Sequence, residues 1–173
     1  MKMKAKKNVI SMLVGLSLLF GLSGTGFALD TLVVEQGLNK ISEAFAADTT
    51  AGVDLSTRVY KLQLNGMYLQ DENIITAPGQ PLNIVGETGD GRPPVIQPFT
   101  DESGNSPNKL FLIKEDATFK NLAVSMMDNL GVKKSIVVHI SADSINLEVD
   151  NMYVELCRFL VVRCDGNHGT IKV

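Results

Sequence analysis

The chain has 173 residues, 45% of them apolar and 20% charged, which suits one globular domain with a sizeable core and excludes a disordered one. Its 16 basic and 19 acidic residues give a formal charge of −3, a balance that does not favour nucleic acid or an anionic membrane as partner. Tryptophan is absent and aromatics make up 6%, so a carbohydrate platform built on large rings would have to draw on Tyr60, Tyr68 or Tyr153.

The first 28 residues have the three parts of a secretory signal peptide. Residues 1–7 carry four lysines and no acid, residues 9–22 are apolar, and Gly26-Phe27-Ala28 sets small side chains at the −3 and −1 positions of a cleavage point after Ala28. An uncleaved anchor is the rival reading, because residues 9–29 have no charge. The strongly apolar part is shorter than the ~20 residues a span requires, so no stable membrane span is expected after cleavage. The expectation is an exported protein, periplasmic, cell-surface or secreted, with a mature domain over residues 29–173. That domain keeps 12 basic and 19 acidic residues, a charge of −7. Such a chain has no global attraction for an acidic polysaccharide and needs a local basic patch to bind one.

Residues 33–47 predict an amphipathic helix. Val34, Leu38, Ile41 and Phe45 recur at helical spacing among Glu35, Lys40 and Glu43. Residues 48–57 form a polar linker. Short β-prone runs follow at 59–64, 67–69, 73–76, 82–85 and 94–97, with Asn65-Gly66 and the glycine-rich residues 86–92 as turns. Residues 99–108 are a polar loop.

Residues 109–173 read as three passes of one unit. Residues 110–113 with 117–124 make the first, 136–140 with 145–154 the second, and 159–162 with 169–173 the third. β-Prone runs that recur near every 25 residues are the pattern of a stacked β-coil solenoid. A sandwich or barrel also has many short strands, but the runs here are very short and lack the two-residue turns of repeated hairpins. Asn121 and Asn151 fall at the same place in successive passes. Asparagine suits a coil corner because it tolerates the left-handed conformation and its amide can bond the next coil. The fold class predicted is all-β, a parallel β-helix with an N-terminal amphipathic capping helix.

The order Leu62, Gly66, Tyr68, Ile74, then Pro81-Leu82-Asn83-Ile84-Val85-Gly86-Glu87 and Pro94-Val95-Ile96, resembles the opening coil of right-handed parallel β-helices of the pectate-lyase-like superfamily. Asp116 to Leu122 and Asp150 to Phe159 resemble their internal coils. The wording is closest to exported bacterial β-helix domains and more loosely similar to chondroitinase-B-type lyases. The resemblance implies a right-handed coil and a glycan-directed role. Lyases of this kind carry many more coils, with catalytic groups in the middle ones. Because the chain ends on a β run with no cap, the resemblance leads to the expectation that it is a C-terminally truncated fragment.

β-Elimination on a uronate needs a cation for the carboxylate and a base for the neighbouring proton. Lys114, His139 and Arg163 lie 25 and 24 residues apart and are expected to stack as a basic ladder on one outer face. The bland alternative is that they are solvated polar positions of exposed strands. No catalytic residue is assigned, and a Ser/His/Asp triad that includes His168 does not assemble. Cys157 and Cys164 read as small side chains in the coil interior, with a disulfide as the alternative that export permits. With His168 they lack the short cysteine pair of a zinc site. No metal ligand set is predicted and no cofactor is evident. Calcium enters only if the chain is a lyase, with Asp143, Glu148, Asp150 and Glu155 as available oxygen donors.

The sequence therefore supports an exported β-helix directed at extracellular polysaccharide, with catalysis undetermined. A non-catalytic surface, structural or adhesin-like module is the alternative.

Overall fold

The computed structural model describes residues 29–165 and 169–173. The predicted signal peptide and His168 lie outside the described residues. What is described is a parallel β-solenoid of about five turns. Its strands are β1 (Asp30–Val34), β2 (Gly37–Leu38), β3 (Arg58–Leu62), β4 (Met67–Gln70), β5 (Ile74–Ile75), β6 (Leu82–Gly86), β7 (Val95–Pro98), β8 (Lys109–Ile113), β9 (Ala117–Ser125), β10 (Ile136–Ile140), β11 (Leu147–Glu155), β12 (Leu160–Cys164) and β13 (Ile171–Lys172). One helix, α1 (Lys40–Ala51), follows β2.

The coil has three faces. The first stacks β1, β3, β6, the first half of β9, the first half of β11, and β13. The second stacks β2, β4, β7 and the second halves of β9 and β11. The third stacks β5, β8, β10 and β12. β9 and β11 turn the corner between the first two faces without a break, and the bend falls at Asn121 (φ 55°) and Asn151 (φ 48°). The chain thus uses residues with low cost in the left-handed region where it has to turn.

Parallel pairing in register makes columns of like side chains inside the coil. Tyr60, Ile84, Phe119 and Val149 form one such column on the first face. Tyr68, Ile96 and Val124 form one on the second. Ile74, Phe111 and Val138 form one on the third. Nearly all of these are fully buried, and each such side chain contributes about 1.5–3 kcal/mol on leaving water. Burial fades at the last coil: Leu160 is 47% exposed, Phe159 67% and Ile171 44%.

The helix begins later than the apolar periodicity predicts. Val33 and Val34 belong to β1, which pairs with β3, and Leu38 belongs to β2. β-Branched Val33-Val34 and Gly37 at φ 133° favour extended chain there. Only Ile41 and Phe45 of the predicted stripe form the helix's buried face. Gly52 at φ 70° ends α1, its amide donating to the carbonyls of Asp48 and Thr49. In chain order α1 takes the place that a third-face strand has in later coils. It is fixed there by Phe45 edge-on to Tyr60, at 5.9 Å between ring centroids, and by buried Asp48. Asp48 accepts the Tyr60 hydroxyl (3.0 Å) and an Arg58 guanidinium N–H (3.0 Å). Burial, then the hydrogen bond to Asp48, pushes the Tyr60 phenol well up from its ordinary value.

Coil lengths vary. The step is 24 residues from Glu148 to Lys172, 27 from Asn108 to Ser135, and 30 from Asn121 to Asn151. Extra residues go into loops such as 127–133, which is closed by an antiparallel bridge between Met127 and Lys133. This variation decides which side chains meet on the outer faces.

Candidate functional site

The third face carries the densest cluster of cationic and imidazole chemistry among the described residues. On β10, His139 is flanked in register by Leu112 of β8 and Arg163 of β12. Lys109, the first residue of β8, brings its Nζ to 2.7 Å from His139 Nδ1. His139 Nε2 lies 2.6 Å from Asp165 Oδ2, and Arg163 Nε donates to Asp165 Oδ1 at 2.7 Å. A lysine ammonium has only donors, so Nδ1 accepts and the imidazole proton sits on Nε2, donated to Asp165. Hydrogen bonds from Arg163, then from His139, hold the Asp165 carboxyl below its ordinary value.

Beside this chain of bonds lies a cleft of about 550 Å³, lined by Lys109, Ile136, Phe159, Leu160 and Arg163 together with Asn108 and Ser135. Its floor is mostly apolar and its two formal charges are both positive. The Arg158 guanidinium sits 5.0 Å from the centroid of the Phe159 ring, and that ring is largely exposed. A cleft with cationic sides and an exposed aromatic ring suits a ligand with carboxylates along an otherwise uncharged, partly apolar frame.

Of the three residues expected to stack as a basic ladder, the structure brings His139 and Arg163 together and leaves Lys114 apart. Leu112, not Lys114, is the register neighbour of His139. Lys114 follows β8, and its amide donates to Thr76 Oγ1 at 2.8 Å. The 27-residue step between β8 and β10 moves the column relative to the even spacing assumed from sequence. Lys109 takes the cationic position beside His139 instead. Lys109, Asp165 and Phe159 escaped the sequence reading, and only the length of the 127–133 loop signals the shift.

Asn121 and Asn151 stack directly, Asn151 Nδ2 donating to Asn121 Oδ1 at 2.9 Å. Cys157 and Cys164 are both free thiols. Cys157 is half-buried, its Sγ 3.2 Å from the Leu160 carbonyl oxygen. Cys164 is exposed. It pairs in register with buried Ile140, but among the described residues no third-face strand covers its other side. Tyr60 and Tyr68 are fully buried and so are excluded as carbohydrate platforms, whereas Tyr153 is 63% exposed.

A second hollow lies beside β9, β11 and β13 and is lined in part by Asp116, Asn146, Glu148 and Lys172. Its charges are closed on one another. Glu148 lies between Lys120 (3.0 Å) and Lys172 (3.1 Å), and Asp116 Oδ1 accepts the Asn146 amide at 2.8 Å. Glu148 is therefore committed to lysines, and among the described residues no group of three or more His, Cys, Asp or Glu side chains is placed to hold a metal ion. Among the described residues no helix is long and apolar enough to cross a membrane.

Fold and cleft together define a parallel β-solenoid with a cation-flanked cleft on its third face. Comparison with protein-family models, with curated proteins and with solved structures finds no match for the chain.

Proposed function

We propose that this chain is an exported β-helix that binds acidic extracellular polysaccharide through the third-face cleft. The observation that carries this reading is the placement of Lys109 and Arg163 on a cleft floored by Ile136 and Leu160, with Phe159 exposed at its side. Two ammonium or guanidinium donors can pair with carboxylates, and the ring offers a face to the apolar side of a sugar. The acidic net charge makes such a local patch necessary. The amino-terminal pattern supports export, and the resemblance of the opening coil to pectate-lyase-like β-helices supports a polysaccharide ligand by analogy of fold.

Binding without turnover is the form of the reading that the side chains favour. Both ring nitrogens of His139 are engaged, Nδ1 by Lys109 and Nε2 by Asp165, so the imidazole does not stand free as a base for elimination, whereas Lys109 and Arg163 keep further donors for a carboxylate. The test is calorimetric titration with polygalacturonate and alginate, with neutral dextran as control. Binding to the acidic glycans that weakens with added salt is expected. Equal binding to dextran, or none to any of the three, sinks the reading. Growth of ultraviolet absorbance from an unsaturated uronate in the same mixtures would replace binding with lyase activity.

A further inference from the structure

The bond from Lys109 to His139 has an acid-sensitive geometry. Lys109 Nζ is 2.7 Å from Nδ1, and this contact exists only while Nδ1 carries a lone pair. Histidines change charge between about pH 8 and pH 5, whereas lysine ammoniums and uronate carboxylates keep theirs across that interval. Protonation of Nδ1 would set two donors face to face at hydrogen-bond distance. Three charged groups face the ring. From β8 there is Lys109, and from β12 and the residue after it there are Arg163 and Asp165. β10 itself carries no other titratable side chain. Asp165 stays bonded to Nε2 in either state, so the ring is held in place while its other edge changes from acceptor to donor.

We propose that His139 is a proton-operated latch on the cleft: neutral, it holds the Lys109 ammonium against β10, and protonated, it releases that ammonium into the cleft that Lys109 already lines beside Arg163. The inference rests on the acidic-glycan reading and adds its regulation. In the neutral state one of the three lysine donors is spent on the imidazole. In the protonated state all three are available, and the cluster gains one positive charge. A carboxylate-bearing glycan is then gripped by Lys109 and Arg163 together, and affinity rises as pH falls. The ring is 6% exposed, so bulk solvent does not screen the exchange as it would on an open surface.

Two measurements on the same protein test the latch. Long-range proton–nitrogen NMR reads the ring directly; the chain has two histidines, and comparison with His139→Gln assigns the signal. At pH 8 the expected state is Nδ1 bare and Nε2 protonated, and at pH 5 both nitrogens are protonated. A ring protonated on Nδ1 at pH 8 overturns the latch whatever the glycan does. Titration with polygalacturonate at constant ionic strength reads the consequence. Wild type is expected to bind about fivefold tighter at pH 5 than at pH 8, the scale of one added charge near a surface. His139→Gln keeps an acceptor and a donor but cannot titrate, and its affinity is expected to change by less than about twofold. The same pH dependence in wild type and His139→Gln overturns the latch and leaves the glycan reading standing. No binding at any pH, with the ring state as expected, overturns the glycan reading and the latch's effect on affinity with it.

Discussion

Asn151 stands on Asn121, its Nδ2 donating to Oδ1 at 2.9 Å, and both residues have left-handed backbone where β9 and β11 turn from the first face to the second. The two properties separate by mutation. Asn121→Ala loses the acceptor and puts in the left-handed region a residue that tolerates it less well than asparagine, at a combined cost of about 2 kcal/mol. Asn121→Gly loses the acceptor alone and is expected to cost about half as much, because glycine adopts positive φ freely. Urea denaturation of the two variants checks this. Equal losses would mean that the corner conformation contributes nothing and the amide ladder everything.

Gly86 marks a close approach between coils. A Cβ built there would lie 2.0 Å from the Asn121 carbonyl oxygen and 2.8 Å from Pro94 Cγ. The first contact is with backbone, so the next coil itself must move. Gly86→Ala is expected to destabilise by about 2–3 kcal/mol, the range of overpacked interiors. Gly52 at the end of α1 has open space around its Cβ position and only its φ of 70° to satisfy, so Gly52→Ala serves as the comparison at about 1 kcal/mol. Thermal or urea melts that rank the two in reverse order would contradict the close approach.

The coil was legible in the sequence where local chemistry repeats. Residues 110–113 and 136–140 are apolar runs between polar breaks, and they are the third-face strands β8 and β10. Asn121 and Asn151 announce a corner because few other side chains tolerate it. The site was less legible, because it depends on the length of each step. Lys114 and His139 look stacked at an even spacing, but the loop at 127–133 lengthens that coil and brings Lys109 beside His139 instead. The helix start was misread for a related reason. Val34 and Leu38 fit helical and extended patterns equally, and pairing of β1 with β3 decides between them. Such pairing joins residues far apart in sequence and leaves no local signature.

The loop that sets this register folds around one buried carboxylate. Asp128 is 3% exposed, lying under its loop, and it takes hydrogen bonds from Thr100 Oγ1 (2.5 Å), the amides of Leu130 (3.0 Å) and Val132 (2.8 Å), and the Lys134 ammonium (2.8 Å). Burial by itself would raise its pKa. The Lys134 bond, then Thr100 and the two amides, outweigh burial and bring it down to about 2 from the usual 3.8. A carboxyl depressed on folding contributes stability that is full above the unfolded value and is lost as pH falls through the folded one. The contribution is about 2 kcal/mol, and the window runs from about pH 5 down to about pH 2. Urea denaturation of wild type and Asp128→Asn across that window checks it. The gap between the two is expected to be widest above pH 5 and to narrow steadily in acid. A gap that stays constant would show that ionised Asp128 has no special role.

The cleft makes a different demand, because it distinguishes three cations that look alike in sequence. Lys109 and Arg163 line it, and Lys114 does not. Lys109→Met and Arg163→Met remove one charge each while keeping much of the aliphatic volume. Each is expected to weaken polygalacturonate binding about tenfold at low salt, the scale of one lost charge-assisted hydrogen bond. Lys114→Met removes the same charge from the chain but is expected to change affinity by less than about twofold. Circular dichroism and melting temperature on all three variants establish that the coil remains folded, so that the comparison reports on the ligand. The difference among variants of equal net charge separates recognition at the cleft from general attraction between a polyanion and lysines. If Lys114→Met weakens binding as much as the other two, the evenly spaced ladder, and not the cleft between β8 and β12, is the binding face.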